Sequence, residues 1–113
     1  GDVMGSYKTL REVCDCLHVT RRAVQGYEAI GLVHSSSTNK YGHLLYDDKA
    51  MEIIKEIKQY QQFGFQLKEI KELQEASNQI IREELEKKIA GLKEKQKDLE
   101  SIIEAANEIL ETL

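Results

Sequence analysis

A heptad pattern in residues 77–113 constrains the fold of this chain more than any other feature. Apolar residues recur there at the a and d positions of four successive heptads, flanked by lysine and glutamate. Such a stripe is typical of a coiled-coil helix, and it would lie in water unless another helix covered it. We therefore expect one long helix and a dimer contact made by Leu85, Ile89, Leu92, Gln96, Leu99, Ile103 and Leu110.

Gln96 is the polar member of this stripe and occupies an a position. A buried polar residue at a fixes the register of a coiled coil at some cost in stability. An antiparallel register in which facing residue numbers add up to 195 places Gln96 opposite Leu99 of the partner subunit. The same register places Leu92 opposite the partner's Ile103. We take this antiparallel arrangement as a hypothesis.

Two short helices are predicted near the start of the chain. Thr9 followed by Glu12 has the spacing of a capping box, and apolar residues at helical spacing follow it. Thr20 has the position of a second N-cap, and Gly31 ends the second helix. The inner side of that helix carries Val24, Tyr27 and Ile30. Two short helices joined by a tight turn have the outline of a helix-turn-helix.

Residues 32–46 have a different character. A polar, serine-rich tip separates two short apolar pieces, Leu32–Val33 and Leu44–Tyr46. Apolar pieces on either side of a tip that contains glycine are typical of a hairpin. The sequence therefore predicts a small two-stranded wing, with its strands at the two apolar pieces.

A second helix pair follows the wing. Asp47 or Asp48 can begin a helix that ends at Gly64, and Gln66 with Glu69 repeats the capping-box spacing before a fourth helix. The expected fold is mainly α. A winged helix-turn-helix head with a second helix pair occupies residues 7–76, and the coiled-coil dimerisation helix occupies residues 77–113.

Charge and composition limit the classes of function. The net charge is −4, but residues 1–68 hold nine Lys/Arg against eight Asp/Glu, so the acidity lies in the C-terminal part. A near-neutral N-terminal part permits DNA binding without demanding it. No apolar run approaches the length of a membrane span, and no secretory signal is present, so we expect a soluble cytoplasmic chain with reduced cysteines.

Catalytic and metal chemistry are not indicated. Cys14 and Cys16 point about 200° apart on a helix, and no histidine or third cysteine accompanies them, whereas a zinc site needs three or four ligands. The three histidines are scattered over the turn and the wing, so no nucleophile–histidine pair is suggested. We expect no enzyme activity, no metal and no cofactor.

Three pieces of the sequence, in this order, resemble the MerR family of transcriptional regulators. They are YKTLREVCDCLHVTRRAV, YEAIGLV and FGFQLKEIKEL, and the resemblance covers about residues 7–113. It implies a helix-turn-helix, a wing, a second helix pair and a long antiparallel dimerisation helix. It further implies a homodimer that binds a pseudo-palindromic operator in double-stranded DNA, with RNA polymerase as a further candidate partner.

The resemblance also implies which residues contact DNA. The second helix would enter the major groove with Thr20, Arg21 and Arg22 toward the base edges, where an arginine fork matches guanine O6 and N7. Gln25 and Tyr27 would contact phosphate. The wing would contact the DNA backbone or the minor groove through Lys40, Tyr41 and His43.

The departures from the family pattern support an alternative. Family members usually carry Arg-Tyr-Tyr where this chain has Gln25, Gly26 and Tyr27. Other customary cations are replaced at Ser37 and Leu44. Because two or three phosphate-contacting cations are missing, the alternative is a dimeric protein-interaction adaptor that kept the fold and lost efficient DNA binding. Salt dependence separates the two, since only phosphate contacts make binding fall steeply with salt.

Overall fold

The computed structural model describes residues 7–113, which form five helices and three short strands. In chain order these are β1 (Lys8–Thr9), α1 (Leu10–Leu17), α2 (Arg21–Ala29), β2 (Ser37–Thr38), β3 (Leu44–Tyr46), α3 (Asp48–Phe63), α4 (Leu67–Gln74) and α5 (Asn78–Glu111). The chain divides into two compact units between Glu75 and Ala76. We call the first unit the head. The predicted fold class, a winged helix-turn-helix with a second helix pair and a long C-terminal helix, is confirmed.

Local capping explains where α1 and α2 begin and end. The Thr9 hydroxyl accepts from the Glu12 backbone N–H, and the Glu12 carboxylate accepts from the Thr9 N–H at 2.9 Å. These hydrogen bonds lower the pKa of Glu12, because they favour its ionised form. His18 ends α1 in the left-handed region with a φ of 55°, and the Thr20 hydroxyl then accepts from the Ala23 N–H. The predicted caps of both helices are confirmed.

The wing differs from the prediction at its first strand. Leu32 and Val33 are 3% exposed and belong to the core of the head, while the strand that pairs with β3 is the polar β2. On its other side β3 pairs with β1, so the sheet is three-stranded and antiparallel in the order β1-β3-β2. The predicted strand at Leu32–Val33 is wrong. The apolar character of these residues reflects burial beside the end of α2.

The core of the head lies where α1, α2, β3 and the α3–α4 pair meet. Its buried apolar residues are Leu10, Val13, Val24, Tyr27, Leu32, Val33, Tyr46, Ala50, Ile54, Ile57, Phe65, Ile70 and Leu73. Ile30, predicted to lie on the inner side of α2, is 38% exposed. The reason is the helical spacing itself: at about 100° per residue, Ile30 lies about 120° around the helix from the buried Val24.

The second helix pair begins and ends as predicted. Of the two candidate caps it is Asp47 whose carboxylate accepts from the Ala50 N–H, at 2.8 Å. Gly64 closes α3 with a φ of 106°, a conformation that favours glycine. Glu69 accepts from the Gln66 N–H at the start of α4.

Helix α5 is 34 residues long, which corresponds to roughly 50 Å at 1.5 Å per residue. None of its residues is fully buried, and its heptad stripe is exposed in the single chain. The exposed apolar residues of its second half are Leu99, Ile102, Ile103, Ile109 and Leu110, and Leu113 beyond the helix is exposed as well. Such a face requires a partner. Within residues 7–113, no helix is both long and apolar enough to cross a membrane.

Alanine substitution should change the free energy of unfolding in opposite directions at two glycines of the head, Gly26 and Gly31. Gly26 lies inside α2, and a Cβ added there meets no atom within 4 Å, so Gly26→Ala should raise the free energy of unfolding by about 0.5–1 kcal/mol. Gly31 has a φ of 79°, so Gly31→Ala should lower that free energy by about 1–2 kcal/mol. Urea unfolding at one fixed protein concentration measures both. If Gly26→Ala instead lowered the free energy of unfolding, the backbone at Gly26 would have to adopt a conformation that alanine disfavours.

Candidate nucleic-acid interface

The start of α2 presents two unpaired arginines. Val24 and Tyr27 hold the inner face of the helix in the core, and this leaves Arg21 and Arg22 exposed on the outside. Neither arginine forms a salt bridge or a hydrogen bond within residues 7–113, so both guanidinium groups keep their donors for an outside acceptor. The Thr20 oxygen caps the helix, and its hydroxyl hydrogen can still be donated outward.

The wing tip is a fixed turn that displays one cation and two aromatic rings. The side-chain oxygen of Asn39 accepts from the backbone N–H groups of Tyr41 and His43 at 2.9 and 3.0 Å. Lys40 places its ammonium 5.2 Å from the centre of the Tyr41 ring, and the Tyr41 and His43 rings are 6.3 Å apart. All three side chains are exposed. The turn is therefore ordered by its own hydrogen bonds before it meets a partner.

The predicted site residues fall into two sets. Thr20, Arg21, Arg22 and Gln25 are exposed on α2, and Lys40, Tyr41 and His43 are exposed on the wing. No hydrogen bond or ring contact joins the two sets in the described part of the chain.

Tyr27, for which the family resemblance implies a phosphate contact, lies in the core of the head. Its side chain is 2% exposed, and its hydroxyl donates to the Gln61 side-chain oxygen at 2.8 Å. Burial raises the pKa of Tyr27. The ring is part of the core and the hydroxyl hydrogen is already donated, so this arrangement does not support the predicted phosphate contact. The helical spacing, which placed Tyr27 on the inner side of α2, gave the correct location.

Sequence reasoning assigned no role to the side chains of α3 and α4 that hold the helix-turn-helix. Lys58 donates to the carbonyl of Leu17, the last residue of α1, and to that of its C-cap His18, at 2.8 and 2.9 Å. Lys71 donates to the Gly31 carbonyl at 3.2 Å. A signal was present for Lys58, because it is a polar residue on the otherwise apolar stripe of α3. Long side chains on such a stripe can reach the carbonyls left open at a helix end.

A second group that sequence reasoning missed joins α2 to the sheet. The Tyr46 ring, on β3, is fully buried, and its hydroxyl donates to the carboxylate of Glu28 in the last turn of α2. Burial is the largest cause that raises the pKa of Tyr46, followed by the hydrogen bond to Glu28. The hydroxyl therefore stays protonated and donating at neutral pH. Glu28 had no local sequence signal, because its partner lies 18 residues away.

The charges of α5 are distributed unevenly along its length. Residues 78–97 hold six Lys/Arg and four Asp/Glu, a net charge of +2, whereas residues 98–113 hold five Asp/Glu and no Lys/Arg. The exposed pairs Lys87–Glu84 and Lys97–Glu94 lie three residues apart on one helix, and such pairs contribute little to stability. The helix therefore has a basic first half and an acidic second half.

The described residues contain no group of three His, Cys, Asp or Glu side chains that could hold a metal ion. Cys14 is a half-buried free thiol and Cys16 an exposed one.

Comparisons with known proteins agree on one family. A family model described as "MerR HTH family regulatory protein" matches residues 8–77, and one described as "MerR, DNA binding" matches residues 51–110. The nodulation protein NolA of Bradyrhizobium elkanii is 30% identical over 70 residues. That match covers 62% of this chain and 32% of NolA, so the chain spans about a third of the length of this relative.

Solved structures show the same fold. A MerR-family transcriptional regulator from Bacillus cereus superposes with a TM-score of 0.73 at 21% identity, covering 90% of this chain and 78% of the other. The N-terminal part of MtaN, the Bacillus subtilis multidrug transporter activator, gives 0.69 at 25% identity, with coverage of 91% and 97%. HiNmlR, a MerR-family regulator lacking the sensor domain and bound to promoter DNA, gives 0.69 at 18% identity, with coverage of 87% and 85%.

Proposed function

Because the chain belongs to the MerR family of helix-turn-helix regulatory proteins, we propose that it binds a pseudo-palindromic DNA operator as a homodimer and regulates transcription there. Proteins of this family are transcription regulators and not enzymes, in agreement with the sequence prediction. Residues 7–76 would be the DNA-binding domain and residues 77–113 the dimerisation helix.

The observation that carries the proposal is that Arg21 and Arg22, at the start of α2, are exposed and have no hydrogen bond or salt bridge within residues 7–113. In a helix-turn-helix the first residues of the second helix reach the base edges of the major groove. Arginine at that place can donate both fork hydrogens to one guanine. Cations at a helix N-terminus oppose the helix dipole, so their presence there has no local structural benefit. Thr20 and Gln25 on the same exposed face would contact neighbouring phosphates or base edges.

The wing would contact the DNA backbone rather than read the sequence. Lys40 supplies the positive charge, and Tyr41 and His43 supply donors and ring surfaces at the tip of a fixed turn. Contacts of this kind position a protein on the duplex without choosing bases. Because the customary cations are replaced at Gln25, Ser37 and Leu44, we expect fewer phosphates neutralised per subunit and a shallow salt dependence.

The charge distribution of α5 supports an antiparallel homodimer. A parallel pair would bring the two acidic halves together along sixteen residues, each with a net charge of −5. An antiparallel pair brings each acidic half against a basic half instead, which Coulomb attraction favours. In the register with facing numbers that add up to 195, Leu85 meets Leu110 of the partner subunit. Ile81 and Ile89 line the same side of α5 as Leu85 and would be covered by the partner helix at that end.

A regulator of this kind works where promoter DNA is, so we propose the cytoplasm as its location and RNA polymerase as a further partner. The competing function is the dimeric adaptor. The replaced phosphate-contacting residues and the acidic second half of α5 favour it, because both weaken attraction to DNA.

Selection from a random duplex pool tests the proposal. Purified dimer is incubated with the pool at about 100 mM salt, where phosphate contacts are weakened and not abolished, and the retained DNA is sequenced. We expect an inverted repeat to be enriched, with binding that falls by a slope of about 0.9 in log affinity per log salt for each phosphate neutralised. No enrichment by an intact dimer would overturn the regulator and favour the adaptor.

A further inference from the structure

The last turn of α2 is tied to the rest of the head at two adjacent residues. Tyr27 donates its hydroxyl hydrogen to Gln61 on α3 at 2.8 Å, and Glu28 accepts from Tyr46 on β3. The two hydrogen bonds connect residues that are 34 and 18 positions apart in the chain. Because adjacent residues of a helix point about 100° apart, the two bonds hold α2 from two directions.

We propose that Tyr27, Gln61, Glu28 and Tyr46, together the α2 latch, are positioning residues that fix the angle at which Arg21 and Arg22 meet the DNA. The latch residues would act through these arginines and contact no base themselves. The inference rests on the proposed DNA-binding function. It gives Tyr27 a positioning role in place of a phosphate contact and adds three residues that were not predicted.

Because α2 is a single short helix, the orientation of its last turn determines where its first turn lies. The nine-residue helix is roughly 13 Å long at 1.5 Å per residue, so a tilt of about 5° about its last turn displaces its first residues by about 1 Å. Paired hydrogen bonds to a base edge need placement within about 0.5 Å. No side-chain hydrogen bond within residues 7–113 ties Arg21 or Arg22 to another element, so their placement depends on how the rest of the helix is held.

The chemistry of the latch suits a rigid support. The Tyr46 ring is fully buried and its acceptor is a carboxylate, so the bond is charge-assisted and stronger than a bond between neutral groups. Burial and the carboxylate raise the pKa of Tyr46, and burial raises that of Tyr27, so both donors keep their hydrogens throughout the neutral range. The charge of Arg21 also acts on Tyr46, in the opposite direction to Glu28. Arg21, which we propose contacts a base, therefore lies close enough to the α2 latch to act on it electrostatically.

The hydrogen bond to Tyr46 also explains why an acidic residue is tolerated on a DNA-reading helix. A free carboxylate at Glu28 would repel the phosphate backbone wherever its side chain reached it. Accepting from a buried hydroxyl holds the carboxylate against the head. Glu28 thereby serves to orient the helix at a position where an unrestrained acid would weaken binding.

Four single variants of the full chain test the latch. Tyr46→Phe and Tyr27→Phe each remove one hydroxyl and keep the ring in the core, and Gln61→Leu removes the acceptor of Tyr27. Glu28→Gln keeps an oxygen acceptor for Tyr46 and serves as the conservative variant. Tyr60→Phe is the matched control, because Tyr60 contacts the rings of Phe63 and Phe65 and its hydroxyl has no hydrogen bond in the described residues. Affinity for the selected operator and for an unrelated duplex is measured at several salt concentrations.

We expect Tyr46→Phe to lower the ratio of operator to unrelated-duplex affinity at least tenfold. The ratio is the readout because the released Glu28 carboxylate repels both duplexes alike. Glu28→Gln should keep most of the ratio, and Tyr60→Phe all of it. Tyr27→Phe, Gln61→Leu and their double variant should lose the same amount, because all three break one hydrogen bond. A purely structural role would lower the unfolding temperature and leave the ratio intact in the folded protein.

The outcomes separate this inference from the function on which it rests. A wild-type protein that selects no operator overturns both. A wild-type protein that selects one, together with an unchanged ratio in folded Tyr46→Phe and Gln61→Leu, overturns the latch alone. Equal loss of affinity for the operator and for the unrelated duplex in Tyr27→Phe would show that Tyr27 contacts phosphate, against the positioning role. If Tyr46→Phe does not fold, Gln61→Leu still decides, since Gln61 is exposed and outside the core.

Discussion

An Arg21→Ala dimer will bind the selected operator about 30-fold to 10⁴-fold more weakly than the wild-type dimer. Each arginine fork on a guanine gives about 1–3 kcal/mol of discrimination, and a homodimer loses one from each half-site. The loss is therefore about 2–6 kcal/mol, and every 1.4 kcal/mol is a factor of ten in affinity. Arg22→Ala should cause a loss of similar size at a different base position. Titration of the operator, and of operators changed at one base pair, measures both.

The controls distinguish base reading from charge. Lys97→Ala removes one exposed cation of α5 and should leave operator affinity within about twofold, since exposed surface charges away from a site contribute little. Arg21→Lys keeps the charge and loses the planar fork, so it should retain affinity for an unrelated duplex and lose most of the preference for the operator. Equal weakening of operator and unrelated DNA by Arg21→Ala would instead make Arg21 a phosphate contact.

Tyr27 shows where a family resemblance and the physical pattern of a sequence can disagree. The helical spacing puts Tyr27 on the same side as Val24, which predicts burial, whereas the resemblance predicts a phosphate contact. In the structure both side chains are buried, and the tyrosine hydroxyl is used inside the head. The spacing was the better guide because it follows from the geometry of the helix that the residue occupies. A residue's role in relatives depends on neighbours that this chain has changed, such as Gly26.

The features that could be predicted are those that depend on residues close together in the sequence. The caps at Thr9 and Thr20 each depend on a hydroxyl that accepts from a backbone N–H three residues later, so a short window of sequence contains both partners. The polar strand β2 was not predictable in this way, because Ser37–Thr38 has no apolar alternation and is a strand only through its pairing with β3. Long-range hydrogen bonds between side chains are missed for the same reason, because nothing near one partner in the sequence indicates the other.

The orientation and register of α5 give the second large prediction. In the proposed register, facing a and d residue numbers add up to 195, so Leu92 meets the partner's Ile103 close to the twofold axis. A chain carrying Leu92→Cys and Ile103→Cys, with Cys14 and Cys16 replaced by alanine, should form intersubunit disulfides in nearly every dimer on mild oxidation. Disulfides need Cα atoms about 4.4–6.8 Å apart, a condition that directly facing positions meet. Non-reducing electrophoresis measures the yield.

Single-cysteine chains decide between the orientations. With Leu92→Cys alone, a parallel in-register dimer would place the two cysteines side by side and cross-link, whereas the antiparallel register places residues 92 and 92 about 11 residues, or roughly 16 Å, apart along the axis. We expect no cross-link from Leu92→Cys or from Ile103→Cys alone, and only background from a chain with Leu92→Cys and Leu85→Cys, which is out of register. Gln96 then lies within one helical turn of Gln96 of the partner subunit, where the two amides can hydrogen-bond across the axis and penalise shifted registers. Like-to-like cross-linking would overturn the antiparallel arrangement. It would also place the two acidic halves side by side, so such a dimer should be stabilised by salt, while the antiparallel dimer should be weakened by it.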